Sequence, residues 1–434
     1  MKSNLQRYVI PTAIGFAPVV LMLLTWTPDS PVSGFTRVVK LLAAPMLVVE
    51  LFVIGVAVRA GGFAALRRAT VPWRVLAPAL GLLTIAVCTA VLVATFPFLA
   101  CLLTAVWILH VSFGLSVMYL CDREFDRESV TTAAMAGFVV FAILLVIFVT
   151  RVSDPAGFNW VKGFPAVDHV RQLGFYAGPM IGLCIGRLAL VRSRVGWALT
   201  VGVATLGFAI ALWTGTRGTF SAVGGALVAG LLLLPALRQR RVLLGAMASV
   251  LISLALASWL PELPEGMGLD RAVAATKDGE STYERIKVWE LALDAISERP
   301  LFGYGEGQLA AVTPRPEHEP HNALVQLLLA WGVVGTGCVL VLAFQFARGI
   351  VRGVRALGGE WLPPLLAMMV LVAYSVHDGT LFLPLSLSIF AACVGLVARG
   401  TLIPRQRHKI RDDTTVVPRT GAAVQPSVRA DPVG

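Results

Sequence analysis

Residues 130–150 read VTTAAMAGFVVFAILLVIFVT, a run without a single charged side chain. A helix rises about 1.5 Å per residue, so about 20 residues cross the roughly 30 Å of hydrocarbon in a bilayer; this run has the length of one span. Its apolar residues do not alternate with polar ones, which excludes the period-two pattern of a membrane β-strand. Comparable runs lie at 8–26, 38–58, 72–94, 96–120, 170–190, 196–213, 219–236, 242–260, 321–347, 361–378 and 380–398. Apolar residues make up 57% of the 434 positions and charged residues 14%. A soluble domain carries about a quarter charged residues, so this chain is built for a lipid solvent. The reading predicts an all-α polytopic membrane protein with about 12 transmembrane helices. The first run follows Lys2 and Arg7 but has no small-residue cleavage site behind it, and is expected to be a retained helix.

Positive charge predicts the orientation. With the N-terminus cytoplasmic, one set of connections holds Arg59, Arg67, Arg68 and Arg74; Arg123 and Arg127; Arg187, Arg192 and Arg194; Arg238, Arg240 and Arg241; and Arg348, Arg352 and Arg355. A basic tail begins at Arg399. Short loops rich in Lys and Arg stay inside, so both termini are expected to be cytoplasmic. The net charge of +11 then reflects topology and attraction to anionic membrane lipids, with no nucleic-acid partner implied. Cys88, Cys101, Cys184, Cys338 and Cys393 fall within predicted spans and Cys121 at a cytoplasmic edge, so no disulfide framework is expected outside.

The chain divides into residues 1–260 with the first nine spans, a long exterior loop at 261–320, residues 321–400 with the last three spans, and a tail at 401–434. The tail is polar and poor in aromatics, and is expected to be disordered. Within the loop, Ser281 and Glu284 have capping-box spacing and Pro300 ends the pattern, which predicts a helix over 281–299. Gly174, Gly178, Gly182 and Gly186 form a small-residue stripe that predicts close helix packing.

The loop helix carries the first chemical clue. At 100° per residue, Trp289, Ala292, Leu293 and Ile296 share one face with Val288 and Ala295 beside them. Lys287, Glu290, Asp294 and Glu298 take the opposite face. Arg285 points along the apolar arc, where an unpaired charge is costly. It is either a snorkelling interfacial residue or a guanidinium aimed at an anionic ligand, and arginine suits phosphate through its bidentate fork. Arg217 sits in Gly215-Thr216-Arg217-Gly218-Thr219, ahead of a helix N-terminus whose free N–H groups favour an anion. His321, in Pro320-His321-Asn322, opens another span, where a helix N-terminus keeps imidazole neutral and fit for a general base. His318 lies close by, and Glu317 and Glu319 around it raise a metal reading that Pro316 and Pro320 disfavour. His169, Arg171 and Gln172 stand where the 151–169 loop re-enters the membrane and could line an acceptor site. Glu50 and His110 lie mid-span, and each is a functional candidate by its cost there. His377 and Asp378 read as interfacial polar residues.

Together Arg285-x-x-x-Trp289-x-x-Ala292, Ile296, Pro300, Gly303-x-Gly305-x-Gly307, His321-Asn322, Gly332-x-x-Gly335 and the Thr216-Arg217-Gly218 turn resemble the O-antigen ligase and polymerase superfamily of membrane glycosyltransferases. The resemblance implies a GT-C-like fold with a periplasmic loop, in the inner membrane of a Gram-negative bacterium. It implies transfer of O-antigen glycan from undecaprenyl diphosphate to the acceptor lipid A–core oligosaccharide, in the course of lipopolysaccharide biosynthesis. Arg217 and Arg285 would hold the donor diphosphate, and His321 would deprotonate the acceptor hydroxyl in an inverting displacement. Trp289, Tyr304, His318 and Asn322 join His169, Arg171 and Gln172 as possible substrate-binding residues. No metal and no cofactor are implied. The single loop leans towards a ligase; the alternatives are an O-antigen polymerase using the same donor and a flippase for an anionic lipid-linked glycan.

Overall fold

The computed structural model describes residues 4–27, 33–68, 71–260, 280–314, 320–354 and 359–401. Its regular elements are helical, and an isolated bridge between Cys121 and Phe125 is the extent of β-pairing among the described residues. The predicted spans all fall on helices. The helices are α1 (Asn4–Leu24), α2 (Gly34–Leu42), α3 (Ala44–Arg59), α4 (Gly62–Arg68), α5 (Trp73–Cys88), α6 (Pro97–Leu120), α7 (Arg127–Arg151) and α8 (Gln172–Leu188). Then follow α9 (Arg194–Trp213), α10 (Arg217–Leu233), α11 (Arg240–Ala257), α12 (Glu280–Glu298), α13 (Leu309–Val312), α14 (Ala323–Val354), α15 (Leu362–Ser375) and α16 (Pro384–Thr401).

Among the described residues, 7 helices are long and apolar enough to cross a membrane, or 8 if the pair α2 and α3, bent by 46°, counts as one span. The chain is thus an all-α polytopic membrane protein. Fewer helices reach full spanning length than the run-by-run reading predicts, because α8 has 17 residues and α10, α15 and α16 are short apolar helices. The bend falls at Ala43, whose backbone is left-handed (φ 45°).

Helix α8 is the centre of the bundle: every residue from 173 to 186 is buried. The predicted glycine stripe does the packing. A Cβ on Gly182 or Gly186 would come within 2.8 Å or 2.7 Å of the Leu366 or Leu362 carbonyl oxygen, so only glycine lets α8 lie this close to α15.

The ends of the helices sort into two faces. On one, Arg7 pairs with Asp126 at 3.2 Å, Arg187 with Glu128 at 2.5 Å, Arg127 with Asp122 at 3.0 Å, and Arg399 with Asp122 at 3.4 Å. The basic connections around α6, α7, α8 and α16 therefore meet at one end. The opposite end, the loop face, carries residues 152–171, the turn before α10, α12, and the turns before α14 and after α15. Lys40 and Thr25 hold the 152–171 segment there, through Lys40 Nζ to the Phe164 carbonyl (2.6 Å) and the Ala166 N–H to Thr25 Oγ1 (2.7 Å).

Helix α12 spans Glu280–Glu298, as its periodicity predicts, although the side chains of Ser281 and Glu284 lie outside the described residues. Its buried face is Val288, Ala292, Ala295 and Ile296, packed on Tyr304, Leu309 and Leu329. Leu293, assigned to that face from the sequence, is 50% exposed, so the face is rotated towards Val288 and Ala295. Two glycine motifs interlock behind it. Gly332 breaks α14 with φ 62° and ψ −169°, and the Pro300 and Leu301 carbonyls accept from Val333 and Val334 N–H at the break. On the other side, Tyr304 and Gly305 N–H donate to the Leu329 and Ala330 carbonyls, at 2.8 Å each. The 300–305 strand of loop thus substitutes for the helical bonds that the break removes. The opening 261–268 of the loop and the 401–434 tail lie outside the described residues but for Thr401.

Candidate active site

Three elements converge on the turn after α15. Helix α12 brings Arg285, the start of α14 brings His321, and α10 brings Ser221 and the N-terminal Arg217. The turn itself supplies His377 and Asp378.

Asp378 is the hub. Its Oδ1 lies 3.3 Å from His321 Nδ1, and its Oδ2 lies 3.5 Å from Arg285 Nη2. Gly379 N–H also donates to Oδ1, at 2.9 Å. Arg285 Nη1 donates to the His377 carbonyl at 2.8 Å. Arg285 is thus partnered inside the apolar arc, where an unpaired charge would be costly. Burial pushes the Asp378 carboxyl up, but the His321 hydrogen bond and charge, Arg285, and the Gly379 N–H together hold it below the ordinary carboxylate range. Asp378 is therefore ionised at neutral pH. The carboxylate side chain is 13% exposed and the His321 side chain 42%, so the imidazole reaches outward from a nearly buried partner.

Three contacts hold His321 in place. Its own backbone is left-handed (φ 52°), an uncommon conformation for a residue with a Cβ. Trp289 Nε1 donates to the Pro320 carbonyl at 2.6 Å, fixing the residue before it. Asn322, the residue after it, accepts from Leu324 and Val325 N–H and so caps α14, while its Nδ2 donates to the Val376 carbonyl at 2.9 Å. Trp289 and Asn322 are therefore brought to the site, with their polar atoms on the backbone around His321 and on the 376–379 turn.

His377 joins this cluster to α10. Its Nε2 lies 3.0 Å from Ser221 Oγ, and its ring stacks on Tyr374 with centroids 5.5 Å apart. Tyr374 in turn meets Thr219 Oγ1 at 3.2 Å and packs edge-on against Phe175 of α8. A Cβ on Gly218 would come within 2.8 Å of the Tyr374 ring, which explains the glycine beside Arg217. Burial pulls the His377 imidazole below its ordinary value, outweighing the opposing Gly218 carbonyl and Asp378 charge, so it is neutral at pH 7. Arg217 opens α10 and is exposed on this face.

Residues 201–340 match the family model described as O-antigen ligase. Over this stretch the chain is similar to O-antigen ligases. Within the matched residues, from α9 into α14, lie Arg217, Arg285 and His321. Asp378 and His377, the partners of His321 and Arg285, come from beyond the matched residues. No curated protein matches the chain.

The remaining candidates take other places. Asp168 N–H donates to Gln172 Oε1 (2.9 Å) and Arg171 N–H to His169 Nδ1 (3.1 Å), so both side chains shape the turn into α8. Arg171 lies near enough for its charge to act on Tyr374. Tyr304 is buried under α12, its hydroxyl 3.0 Å from the Ala295 carbonyl and 3.1 Å from Glu298. It belongs to the core of the loop and not to the His321 cluster. His318, with Glu317 and Glu319, lies outside the described residues. Glu50 and His110 meet each other at 2.7 Å, fully buried between α3 and α6, and stand apart from the site.

Proposed function

We propose that this protein transfers an O-antigen glycan from undecaprenyl diphosphate to lipid A–core oligosaccharide at the periplasmic face of the inner membrane. One observation carries the reading: a single carboxylate, Asp378, bridges an outward-facing histidine and a guanidinium on the face that also bears Arg217. Ionised Asp378 holds the His321 Nδ1–H towards itself and leaves Nε2 as the proton acceptor. His321 takes the proton of the acceptor hydroxyl as its oxygen attacks the anomeric carbon. The bond to the diphosphate breaks on the opposite side, its electron pair leaving with the phosphate oxygen, and the anomeric configuration inverts.

Charge that develops on the diphosphate is best met by donors already fixed in place. Arg285 is fixed by the His377 carbonyl and Asp378, and a guanidinium has five N–H donors, so these contacts leave others for phosphate oxygens. Arg217, on the N-terminus of α10, adds its charge to the positive end of the helix dipole.

The test is transfer by purified protein in detergent from an undecaprenyl-diphosphate-linked glycan to core acceptor. A new glycosidic bond formed by the wild type, and lost in Arg217→Ala and His321→Ala, supports the reading; wild-type rates in both variants would sink it. A flippase would form no bond at all. A deletion strain separates ligase from polymerase: free core beside polymerised lipid-linked chains indicates a ligase, single capped repeats a polymerase.

A further inference from the structure

A second acid lies buried on the loop face, away from Asp378. Glu306 sits in the glycine-rich segment that fills the break in α14, and Gln326 sits on the first turns of α14; they are 4% and 2% exposed. Gln326 Nε2 donates to Glu306 Oε1 at 3.2 Å. The other two oxygens of the pair, Glu306 Oε2 and Gln326 Oε1, are both buried with no partner among the described residues. An ionised carboxylate only accepts, so it would leave two buried acceptors without a donor. One proton removes both faults. A neutral carboxyl carries an O–H donor, and a primary amide can receive it while giving its own N–H to the carbonyl oxygen, closing a ring of two hydrogen bonds.

We propose that Glu306 is held protonated in an acid–amide ring with Gln326, a proton-dependent latch that positions the start of α14 and with it His321. The coupling is short. Gln326 N–H donates to the Asn322 carbonyl, so the latch is one helical turn from the cap beside His321. Burial pushes the Glu306 carboxyl up to about 7, against the opposing Gln326 hydrogen bond. Among the described residues, the elements packed around this segment bring no ion pair to it. Gly305 faces Thr89 and Ala94, Gly307 faces Leu99 and Leu103, and Gln308 binds the Phe96 backbone. The nearest charges along the chain, Glu298 and Arg299, are engaged with the Tyr304 hydroxyl and ring. Among the described residues Glu306 makes no hydrogen bond to the Asp378 cluster.

A raised carboxyl contributes stability that is complete below its ordinary value of 4.5 and is lost as pH climbs from there through about 7. Glu306→Gln keeps both hydrogen bonds of the ring, because the new amide donates where the acid did, and it cannot ionise. Its fold is therefore expected to survive, and failure of E306Q to fold would itself count against the latch. The experiment follows apparent melting of the full-length protein in detergent from pH 5 to 8.5, for wild type, E306Q and E306A. The latch predicts that wild type loses stability relative to E306Q as pH rises, by up to about tenfold in the unfolding constant per pH unit, and levels off above 7. It also predicts an infrared carboxylic-acid band at pH 6 that is missing in E306Q. Parallel melting of wild type and E306Q at every pH, with no acid band assigned to Glu306, would overturn it. The effect on His321 rests on the catalytic reading and is scored separately: E306Q should keep the transfer rate at pH 6 and retain more of it than wild type at pH 8. If no variant transfers glycan, the catalytic reading fails while the melting and infrared data still judge the latch.

Discussion

At the scale of single residues, the weight falls on Asp378. A carboxylate shared by His321 and Arg285 orients the base and fixes the guanidinium at once, so its loss should be felt in rate more than in folding. Replacing His321 with alanine should lower kcat by about 10²- to 10⁴-fold, the usual worth of a positioned general base, with little change in melting temperature. Asp378→Asn should also lower kcat, because an amide cannot stabilise the imidazolium that forms. Because the Asp378 carboxyl is held below its ordinary value of 3.8, its share of stability is present above that value and is lost as pH falls through the lower folded value. Melting curves of wild type and D378N should therefore keep a constant separation above about pH 5 and converge in stronger acid. The sequence placed Arg217, Arg285 and His321 as candidates on their chemistry and local pattern. Asp378 and His377 looked like ordinary polar residues at a span end, since their meaning depends on partners 57 and 92 positions away. The signal available was a histidine and an aspartate side by side before a glycine, which says little without tertiary contact.

At the scale of elements, the helices were readable from apolar run length, and the detailed geometry was not. Periodicity located α12 within a residue at each end, yet rotated its buried face wrongly at Leu293 because α12 packs on Tyr304 and Leu329, which no local pattern announces. The same holds for α14. Its two glycine motifs were visible, but their interlocking through the break at Gly332 was not. A Cβ at Gly332 would lie 2.3 Å from the Leu301 backbone, in a left-handed conformation. Gly332→Ala should therefore destabilise the protein by about 1–3 kcal/mol from backbone strain alone, and lower the melting temperature visibly in a thermal-shift assay. A G332A protein that melts with the wild type would show that the 300–305 segment does not depend on the break.

At the scale of the whole molecule, the bundle separates a face of arginine–carboxylate pairs from a face that carries the candidate site. Charge asymmetry in the connections predicts such a division, and the ion pairs of Arg7, Arg187 and Arg399 lie together at one end. If that end is cytoplasmic, a cysteine at Ser153 in a cysteine-free background should react with a membrane-impermeant thiol reagent in spheroplasts, while one at Ser427 should not; the reverse labelling would invert the topology. What the sequence could not show is that α10, α12, α14 and the turn after α15 meet at one point. That convergence is the central claim, and a double-mutant cycle between His321 and Asp378 tests it directly in purified protein. If the two act as one unit, Asp378→Asn should cost little or nothing more in kcat once His321 is alanine. Full additivity of the two losses, or a wild-type rate in either single variant, would contradict it.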